Sequence, residues 1–430
     1  MTTGDHVPSD SVIPSPRGLI LAPFRALRYA DTADNHPATL LCPPYDVIDA
    51  EQQAALERAD PRNAVRLILP RDDQSGPGSR YRRAAHTLAA WRATGILQRD
   101  RQPALYVYEM ATTGGRNPST TRGLLGALGL ADPAAGIVLP HENTMPGPVA
   151  DRLALTQATE ANLEPIYLVY NGTPTVGQVV AGVDDTEPLT DASTDDGIRH
   201  RLWAVTDRDA LRTVAAELLS QAALIADGHH RYATYLAEQH DRHRHGAGPG
   251  PWDSGLAYLV DARRFGPRVE AIHRVLPAYS MSTALGAAAG EFAIQEIAGP
   301  AGAALSTLAS AGQDATAFVL TDGADWRLLR RPRVPADTAN ALGQLDVTVA
   351  HHLLIEQLWG LDQDVVEYEH DADRAIARAG KADGLALLLN PTGVQQVADV
   401  AAAGQRMPRK STLFTPKPAT GLVFRPYDDA

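Results

Sequence analysis

The chain has 430 residues and a single cysteine, Cys42, so no disulfide can form within it. Without a secretory start, that scarcity points to a reducing, cytoplasmic setting. No apolar run approaches the ~20 residues that span a bilayer, and no membrane partner is expected. The opening stretch "MTTGDHVPSDSVIPSPRG" lacks an apolar core and carries Asp5 and Asp10, which suits neither a signal peptide nor an anchor. Residues 1–17 read as a disordered tail. Lysine is rare: Lys381, Lys410 and Lys417 are the only three. Basic charge is in deficit altogether, with a net charge of −12 and a pI of about 5.6. That deficit opposes the counterion release that drives duplex binding, so specific duplex nucleic acid is excluded as a partner. Internal repeats, coiled-coil heptads, a glycine-rich Walker loop and an H-E-x-x-H ligand pair are all missing.

What is present is ordinary globular material, 44% hydrophobic and 21% charged, long enough for two or three domains. "LILAPFRALRY" reads as a strand. "CPPYDVIDAEQQAALERADP" reads as a loop and then a helix, capped by Asp49 with Gln52 three residues on and closed by Pro61. "SRYRRAAHTLAAWRATG" is a second helix, with Ser79 as cap, Ala84, Leu88 and Trp91 on its apolar stripe, and Gly95 at its end. "ALYVYEM" and "TRGLLGALGL" predict a hairpin across a turn-rich link. "DRLALTQATEANL" is helical, with Asp151 and Arg152 at its start, and the strand "PIYLVY" follows. Then come the strand "RHRLWAV", the helix "DRDALRTVAAELLSQ", the buried strand "AALIA" and a helix continuing from Tyr232 to Gln239. "HDRHRHGAGPGPWDSG" is a loop in which His240, His243 and His245 are solvated. "LAYLVDA" and "VEAIHRVL" are strands. Near Ser280 the pattern resets to an Ala/Gly-rich helix, a "TAFVLTDGADWRLLR" hairpin, the helix "LDVTVAHHLLIEQLWG" and the strand "LALLLN". A last helix is capped by Asn390, with Pro391 at its first position and Gly404 at its end. Hairpins mixed with strand–helix units predict an α+β or mixed α/β fold with mixed sheets. An N-terminal α/β region covers 18–279, and a C-terminal one covers 280–430, its last loop returning to the site.

Chemistry-bearing residues gather in four stretches. In "LIADGHHRYATYL" a strand gives way to a helix, whose first amides have no internal acceptor and whose dipole favours an anion. Gly228 lets a ligand approach the backbone, His229, His230 and Arg231 add donors, and Asp227 can cap the helix, bind a metal or act as a base. The set fits a phosphate or carboxylate site. A plainer alternative has Asp227 capping and the histidines solvated, but one cap does not need three further cationic or titratable groups. Arg231 reads as a cleft residue that contributes little to the core. In "VLPHENTMPGPVADRLAL", Arg152 can clamp a phosphate bidentately, and His141 with Glu142 can do acid–base work or hold a metal; the alternative is a loop with an ion pair. "MPRKSTLFTPKPATGL" offers Lys410, Ser411, Thr412 and Lys417 on a proline-stiffened loop, against the alternative of a surface tail. "CPPYDVI" can aim Tyr45 and Asp46 into a cleft. His351 and His352 read as core-edge helix residues, and His273 and Arg274 stand at a strand end.

Together, "LAPFRALRY", "PPYDVI", "NAVRLILP", "PALYVYE", "LPHENT", "DRLALTQATEANLEPIYLVY", "RLWAV", "IADGHHRYATYL", "LDVTVAHHLL" and "MPRKSTLFTPKPATGL" resemble the bacterial and archaeal domain of unknown function 1015 family, over about Leu19 to Phe424. Such relatives often carry a lysine shortly before the Asp-Arg pair. Gly147, Pro148, Val149 and Ala150 stand there instead, which argues against a catalytic lysine in this segment. Over Ile225 to Arg231 the motif is also similar to that of free-serine kinases built on the ParB/sulfiredoxin fold. That resemblance implies a ParB/sulfiredoxin-like core, a catalytic or metal-linked Asp227, and nucleotide phosphates held by His229, His230 and Arg231.

The expectation that follows is a phosphotransferase or phosphohydrolase acting on a small metabolite, serine-kinase-like in outline. Phosphoryl transfer needs positioning and charge neutralisation more than covalent help. Gly228, His229, His230, Arg231, Arg152, Lys410, Ser411 and Lys417 would hold phosphate, and Asp227, Glu142 and His141 would do the acid–base work. Tyr45, Asp46 and Asp151 are further candidates, and Mg²⁺ with a nucleotide or pyrophosphate donor would complete the set. The partner would be a phosphorylated metabolite or a nucleotide. One alternative is a ParB-like, nucleotide-gated binding or scaffold protein without turnover. Another is a metal hydrolase using His141, Glu142, Asp227, His229 and His230.

Overall fold

The computed structural model describes residues 16–31, 36–72, 76, 78–112, 118–333 and 341–429. Residues 1–15 of the expected tail and residues 113–117 of the hairpin link lie outside them. The fold is mixed α/β, and the chain divides into two compact units. The first takes 1–139, 144–267 and 416–430; the second takes 140–143 and 268–415.

A nine-stranded mixed sheet organises the first unit. Its strands are β1 (Leu21–Ala22), β2 (Leu105–Thr112), β3 (Ser119–Gly129), β4 (Val138–Leu139), β5 (Ile166–Tyr170), β6 (Thr190–Ser193), β7 (Ile198–Val205), β8 (Ala223–Asp227) and β9 (Ser254–Asp261). Their order is β4-β8-β5-β9-β3-β2-β7-β6, with β1 paired to β3. β8 runs parallel to β4, and β9 parallel to β5; the other pairs are antiparallel. The expected hairpin is β2–β3, with Tyr106 opposite Leu125. Every residue from Leu105 to Met110 is buried, as in a strand covered on both faces. Five helices matter here: α1 (Ala50–Ala59), α2 (Ser79–Ala93), α3 (Pro146–Thr159), α4 (Arg208–Leu218) and α5 (His229–Arg244). Val214 and Leu218 of α4, with Tyr232 and Tyr235 of α5, join the sheet core of Val107, Leu124, Leu168 and Ile225. The α2 stripe of Ala84, Leu88 and Trp91 packs in a separate core with Leu67, Leu155 and Phe424.

In the second unit six strands pair antiparallel throughout: β10 (His273–Leu276), β11 (Ala293–Glu296), β12 (Ala315–Thr321), β13 (Trp326–Pro332), β14 (Glu367–Glu369) and β15 (Leu385–Leu389). The order is β11-β13-β12-β15-β10-β14. Helices α6 (Ala301–Ala311) and α7 (Ala372–Lys381) bury Ala304, Leu308, Ala375 and Ala379 against Val319 and Leu388.

Several local expectations change. Asp49 and Gln52 form the capping box as expected, with Gln52 accepting from the Asp49 amide at 3.1 Å. Ser79 is not a cap: Gly78, at φ 73°, takes that place and Ser79 is buried in the first turn. Asp151 and Arg152 lie in the second turn of α3 rather than at its start, because Pro146 fits the first helical position. α5 continues to Arg244, so His240 and His243 are helical, and His243 is buried on Asp253 at 2.6 Å. The last helix begins at Val394, and the Asn390 side chain donates to the Leu308 carbonyl at 3.2 Å instead of capping. The stretch expected as one α-helix around His351 is a π-helix over Val349–Leu358.

Candidate functional site

The first unit gathers a charge cluster where β8 passes into α5. The β8–β5 register shifts between Ile225 and Asp227, which sets Asp227 opposite Tyr167; irregularities of this kind re-aim a side chain. Gly228 follows at φ 93°, a left-handed backbone that favours glycine, and a Cβ there would make a tight 3.0 Å contact with Arg231 Nε. Gly228 itself holds the N-cap position of α5. Asp227 is therefore not the cap. Its Oδ1 lies 2.6 Å from Lys417 Nζ, and its Oδ2 accepts from Arg231 Nη2. Lys417 Nζ is also 3.2 Å from Asp46 Oδ2, so one ammonium is shared by two carboxylates. His230 Nε2 accepts from the Met145 amide at 3.0 Å, which fixes it as an unprotonated ring nitrogen.

Arg231 borders a small cleft but is not the exposed donor that its position in the motif implies. It is 3% exposed, and it donates to Asp227 and to the Pro165 carbonyl. Arg152 is likewise buried. It donates to the Ile68 carbonyl at 2.6 Å and to Asp151 at 2.9 Å, and its guanidinium lies 4.3 Å from the centre of the Tyr45 ring. Asp151 is held in turn by Arg80 and Tyr81, each at 2.8 Å. Both arginines thus fix neighbouring carboxylates. Sequence reasoning missed Glu164, which is buried, accepts from the Tyr45 amide at 3.0 Å and stands 3.8 Å from Arg152. Its only signal was a lone acid between Leu163 and Pro165 ahead of an apolar strand. Arg152, Glu164, Arg231, Thr234 and Tyr235 line a cleft of about 290 Å³, counted with the solvent at its mouth.

The electrostatics follow from burial and pairing. Burial alone would raise the Asp46 carboxyl, but Lys417 and Arg231 outweigh it and hold the group below the usual carboxylate range. Burial pulls on Lys417 in the opposite sense, and Asp227 with Asp46 overrides it, keeping the ammonium charged. Glu164 is raised by burial, against the pull of Arg231 and Arg152. His230 is lowered by burial, with Arg231 acting the same way, so it is neutral near pH 7. Burial pushes the Tyr45 hydroxyl up to about 12.

Of the residues singled out from sequence, Tyr45, Asp46, Asp151, Arg152, Asp227, Gly228, His229, His230, Arg231 and Lys417 fall in the first unit, and His141, Glu142, Lys410 and Ser411 in the second. There, His141 is fully buried with its Nε2 2.9 Å from Thr412 Oγ1, its carbonyl accepts from the Met407 amide at 2.8 Å, and Glu142 lies 4.0 Å away. Ser411 is buried and donates to the Pro408 carbonyl at 2.5 Å, while Lys410 is exposed at φ 55°. Among the described residues no group of three or more His, Cys, Asp or Glu could hold a metal ion, and no helix is long and apolar enough to cross a membrane.

The profile of the DUF1015 family, described as a protein of unknown function, matches residues 21–348. Among solved structures, the chain is similar to a free serine kinase variant in complex with ADP at 13% identity and a TM-score of 0.34, covering 66% of this chain and 89% of that one. It is similar to a conserved hypothetical protein from Pyrococcus furiosus at 14% identity and a TM-score of 0.33, covering 68% and 94%. It is also similar to SbnI with a C-terminal truncation, from Staphylococcus aureus, at 11% identity and a TM-score of 0.36, covering 71% and 88%. No match was found among curated proteins.

Proposed function

We propose that this chain, which belongs to the DUF1015 family of proteins of unknown function, binds a small phosphorylated metabolite or nucleotide where β8 meets α5 and transfers or removes its phosphoryl group. One observation carries the reading: the Lys417 ammonium, shared by Asp227 and Asp46, stands beside a left-handed glycine at the N-cap of a sixteen-residue helix. The first amides of α5 and the side chains of His229 and His230 supply donors to an anion. Lys417 turns from its carboxylates to the incoming phosphate, as a point charge suited to that task. Asp46, with 40% of its side chain exposed, is then the accessible base, while Asp227 stays oriented by Arg231. Asp46 and Asp227 are also the pair that would hold Mg²⁺ in place of the ammonium; the ion would neutralise phosphate charge. Arg231, Arg152 and Glu164 position this set without touching the ligand. Lys410 is the second unit's own phosphate-compatible cation, while Ser411 commits its hydroxyl to the Pro408 carbonyl.

Both oxygens of Asp227 are engaged by cations, and that observation favours a second reading, a nucleotide-gated binding protein without turnover. A thermal-shift screen of nucleotides, pyrophosphate and phosphorylated amino acids, with and without Mg²⁺, tests the shared premise. A ligand at about 100 times its dissociation constant adds about 2.7 kcal/mol of stability. Product formation from a stabilising ligand then separates the enzyme from the binder. If no phosphorylated compound stabilises the protein, both readings fail.

A further inference from the structure

Two buried side chains of the nine-stranded sheet stand outside the cluster at Asp227 and yet lead to it. Tyr108 in β2 is fully buried, and His200 in β7 is 2% exposed. The Tyr108 hydroxyl accepts from the Ala419 amide at 3.1 Å and lies 2.8 Å from His200 Nδ1. On the other side of the imidazole, Nε2 lies 3.0 Å from Thr194 Oγ1, which donates to the exposed Asp196 carboxylate at 2.6 Å.

The sense of this chain is fixed, because each hydroxyl has one hydrogen to give. Asp196, and the Ile198 carbonyl at 3.1 Å, can only accept from Thr194. Thr194 therefore accepts from His200, whose ring hydrogen sits on Nε2. Nδ1 is left as an acceptor, and Tyr108 gives its hydrogen there while accepting from Ala419. Both rings keep the protonation state this needs. Burial lowers the imidazole to about 4, against the pull of Asp196, so it is neutral near pH 7. Burial raises the Tyr108 phenol, which keeps its hydrogen. Hydrogen bonds that run in one direction polarise and strengthen one another.

The inner end of the chain is the segment that carries Lys417. Proline stands at 416 and 418, so Ala419 supplies the first backbone N–H after Lys417. The next, at Thr420, is held by the Cys42 carbonyl at 2.8 Å. The Lys417 ammonium has to reach both Asp227 and Asp46, and its side chain is only 18% exposed. We propose that Tyr108 and His200 are positioning residues for that ammonium: the chain from Asp196 to the Ala419 amide sets where the 416–420 segment holds Lys417. Its effect on a ligand rests on the phosphate site proposed above; the placement of Lys417 does not.

Lys417 is one of three lysines in the chain, which makes its placement directly readable. Trace acetylation of the full-length protein with acetic anhydride is followed by mass spectrometry at Lys417, with the exposed Lys381 and Lys410 as internal standards. Tyr108→Phe keeps the ring against Tyr258, 5.0 Å away, and removes the hydroxyl. Lys417 labelling relative to the standards should rise by about fivefold, what one hydrogen bond contributes to a local opening equilibrium. His200→Leu should do the same, and His200→Asn, whose side-chain oxygen can accept from Tyr108, should restore most of the protection. Tyr106→Phe is the control. Its hydroxyl, on the same strand, serves the Ala26 amide and Asp100 instead, and its loss should leave Lys417 protected. A stabilising phosphorylated ligand should lose affinity in Tyr108→Phe by a similar factor. If the labelling follows this pattern and no phosphorylated ligand binds, the phosphate site falls and the positioning role stands. If Tyr108→Phe does not fold, the two His200 variants decide. Unchanged Lys417 labelling in folded Tyr108→Phe, equal labelling in His200→Leu and His200→Asn, or a rise as large in Tyr106→Phe overturns the proposal.

Discussion

Arg231→Met removes the charge at the centre of the first unit's cluster while keeping most of the aliphatic volume. The side chain is 3% exposed, ion-paired to Asp227, and one of the two cations that hold Glu164 against its burial. Removing one partner of a buried pair costs about 3–5 kcal/mol, because the other charge stays behind. Asp227 is 12% exposed and keeps Lys417, which places the cost at the lower end, about 3 kcal/mol. At roughly 2–4 °C per kcal/mol, the melting temperature falls by about 6–12 °C. Thermal melts followed by circular dichroism should also reveal the cause. Without Arg231, the Glu164 carboxyl, already raised by burial, loses one of the two cations that oppose that rise and moves further up. Such a carboxyl destabilises the fold fully above its folded pKa, and the penalty vanishes below the unfolded pKa. The gap between wild type and variant therefore narrows as the pH falls from 7.5 towards 4.5, near the roughly 4 of free carboxyls. A variant that melts within about 2 °C of wild type but no longer binds any phosphorylated ligand would refute the reasoning, since Arg231 would then face the ligand and not the core.

Lys417→Met should weaken a stabilising phosphorylated ligand by about 10- to 150-fold, the loss of one charge-assisted contact; unchanged affinity by calorimetry rejects the proposed site. Asp346 is raised by burial to about 6, so its charge penalises the fold above that pH and the penalty disappears near pH 4. Asp346→Asn should gain on wild type by up to about 3 kcal/mol between pH 4 and pH 7, read from urea midpoints; a gap that shrinks over that range contradicts this. His200 is lowered by burial to about 4, hydrogen-bonded to Tyr108 at 2.8 Å and Thr194 at 3.0 Å. Its unfolded form takes a proton below about pH 6.5 that the folded form refuses, so stability falls from there towards pH 4, and His200→Gln should flatten that slope. Fluorescence anisotropy at physiological salt should show no tight binding to duplex DNA, and sub-micromolar affinity would contradict the reading of the −12 net charge.

Local patterns were legible where the physics is local. The apolar bulk of "ALYVYEM" and "TRGLLGALGL" on either side of a turn-rich link specifies a buried hairpin, and Asp49 with Gln52 specify a helix start, because each depends on residues a few positions apart. Ser79 and Asn390 misled because a good capping residue is also a good hydrogen-bonding residue elsewhere, and glycine took the cap at both helices. The cluster of polar residues at Asp227 was legible as a group. The division of labour within it was not. Whether Arg231 faces solvent or the Pro165 carbonyl depends on β5, which is distant in sequence, and no periodicity encodes that. Glu164 escaped for the same reason: its value lies in Tyr45, Arg152 and Thr420, none of them a sequence neighbour.

The first unit is completed by residues 416–429, which follow the second unit's long segment in the chain. Thr420 bridges to Cys42, Phe424 to Leu27 and Arg425 to Asn162, and Lys417 reaches Asp227 from the same segment. On the ribosome, Asp227 is made well before its ammonium partner, by roughly 10–40 s at about 5–20 residues per second. Throughout that interval the nascent chain carries Asp46 and Asp227 without the lysine that reconciles them. The proposed site therefore stays silent until Lys417 has emerged, and a chain stopped before that residue carries every strand of the nine-stranded sheet but not the ammonium.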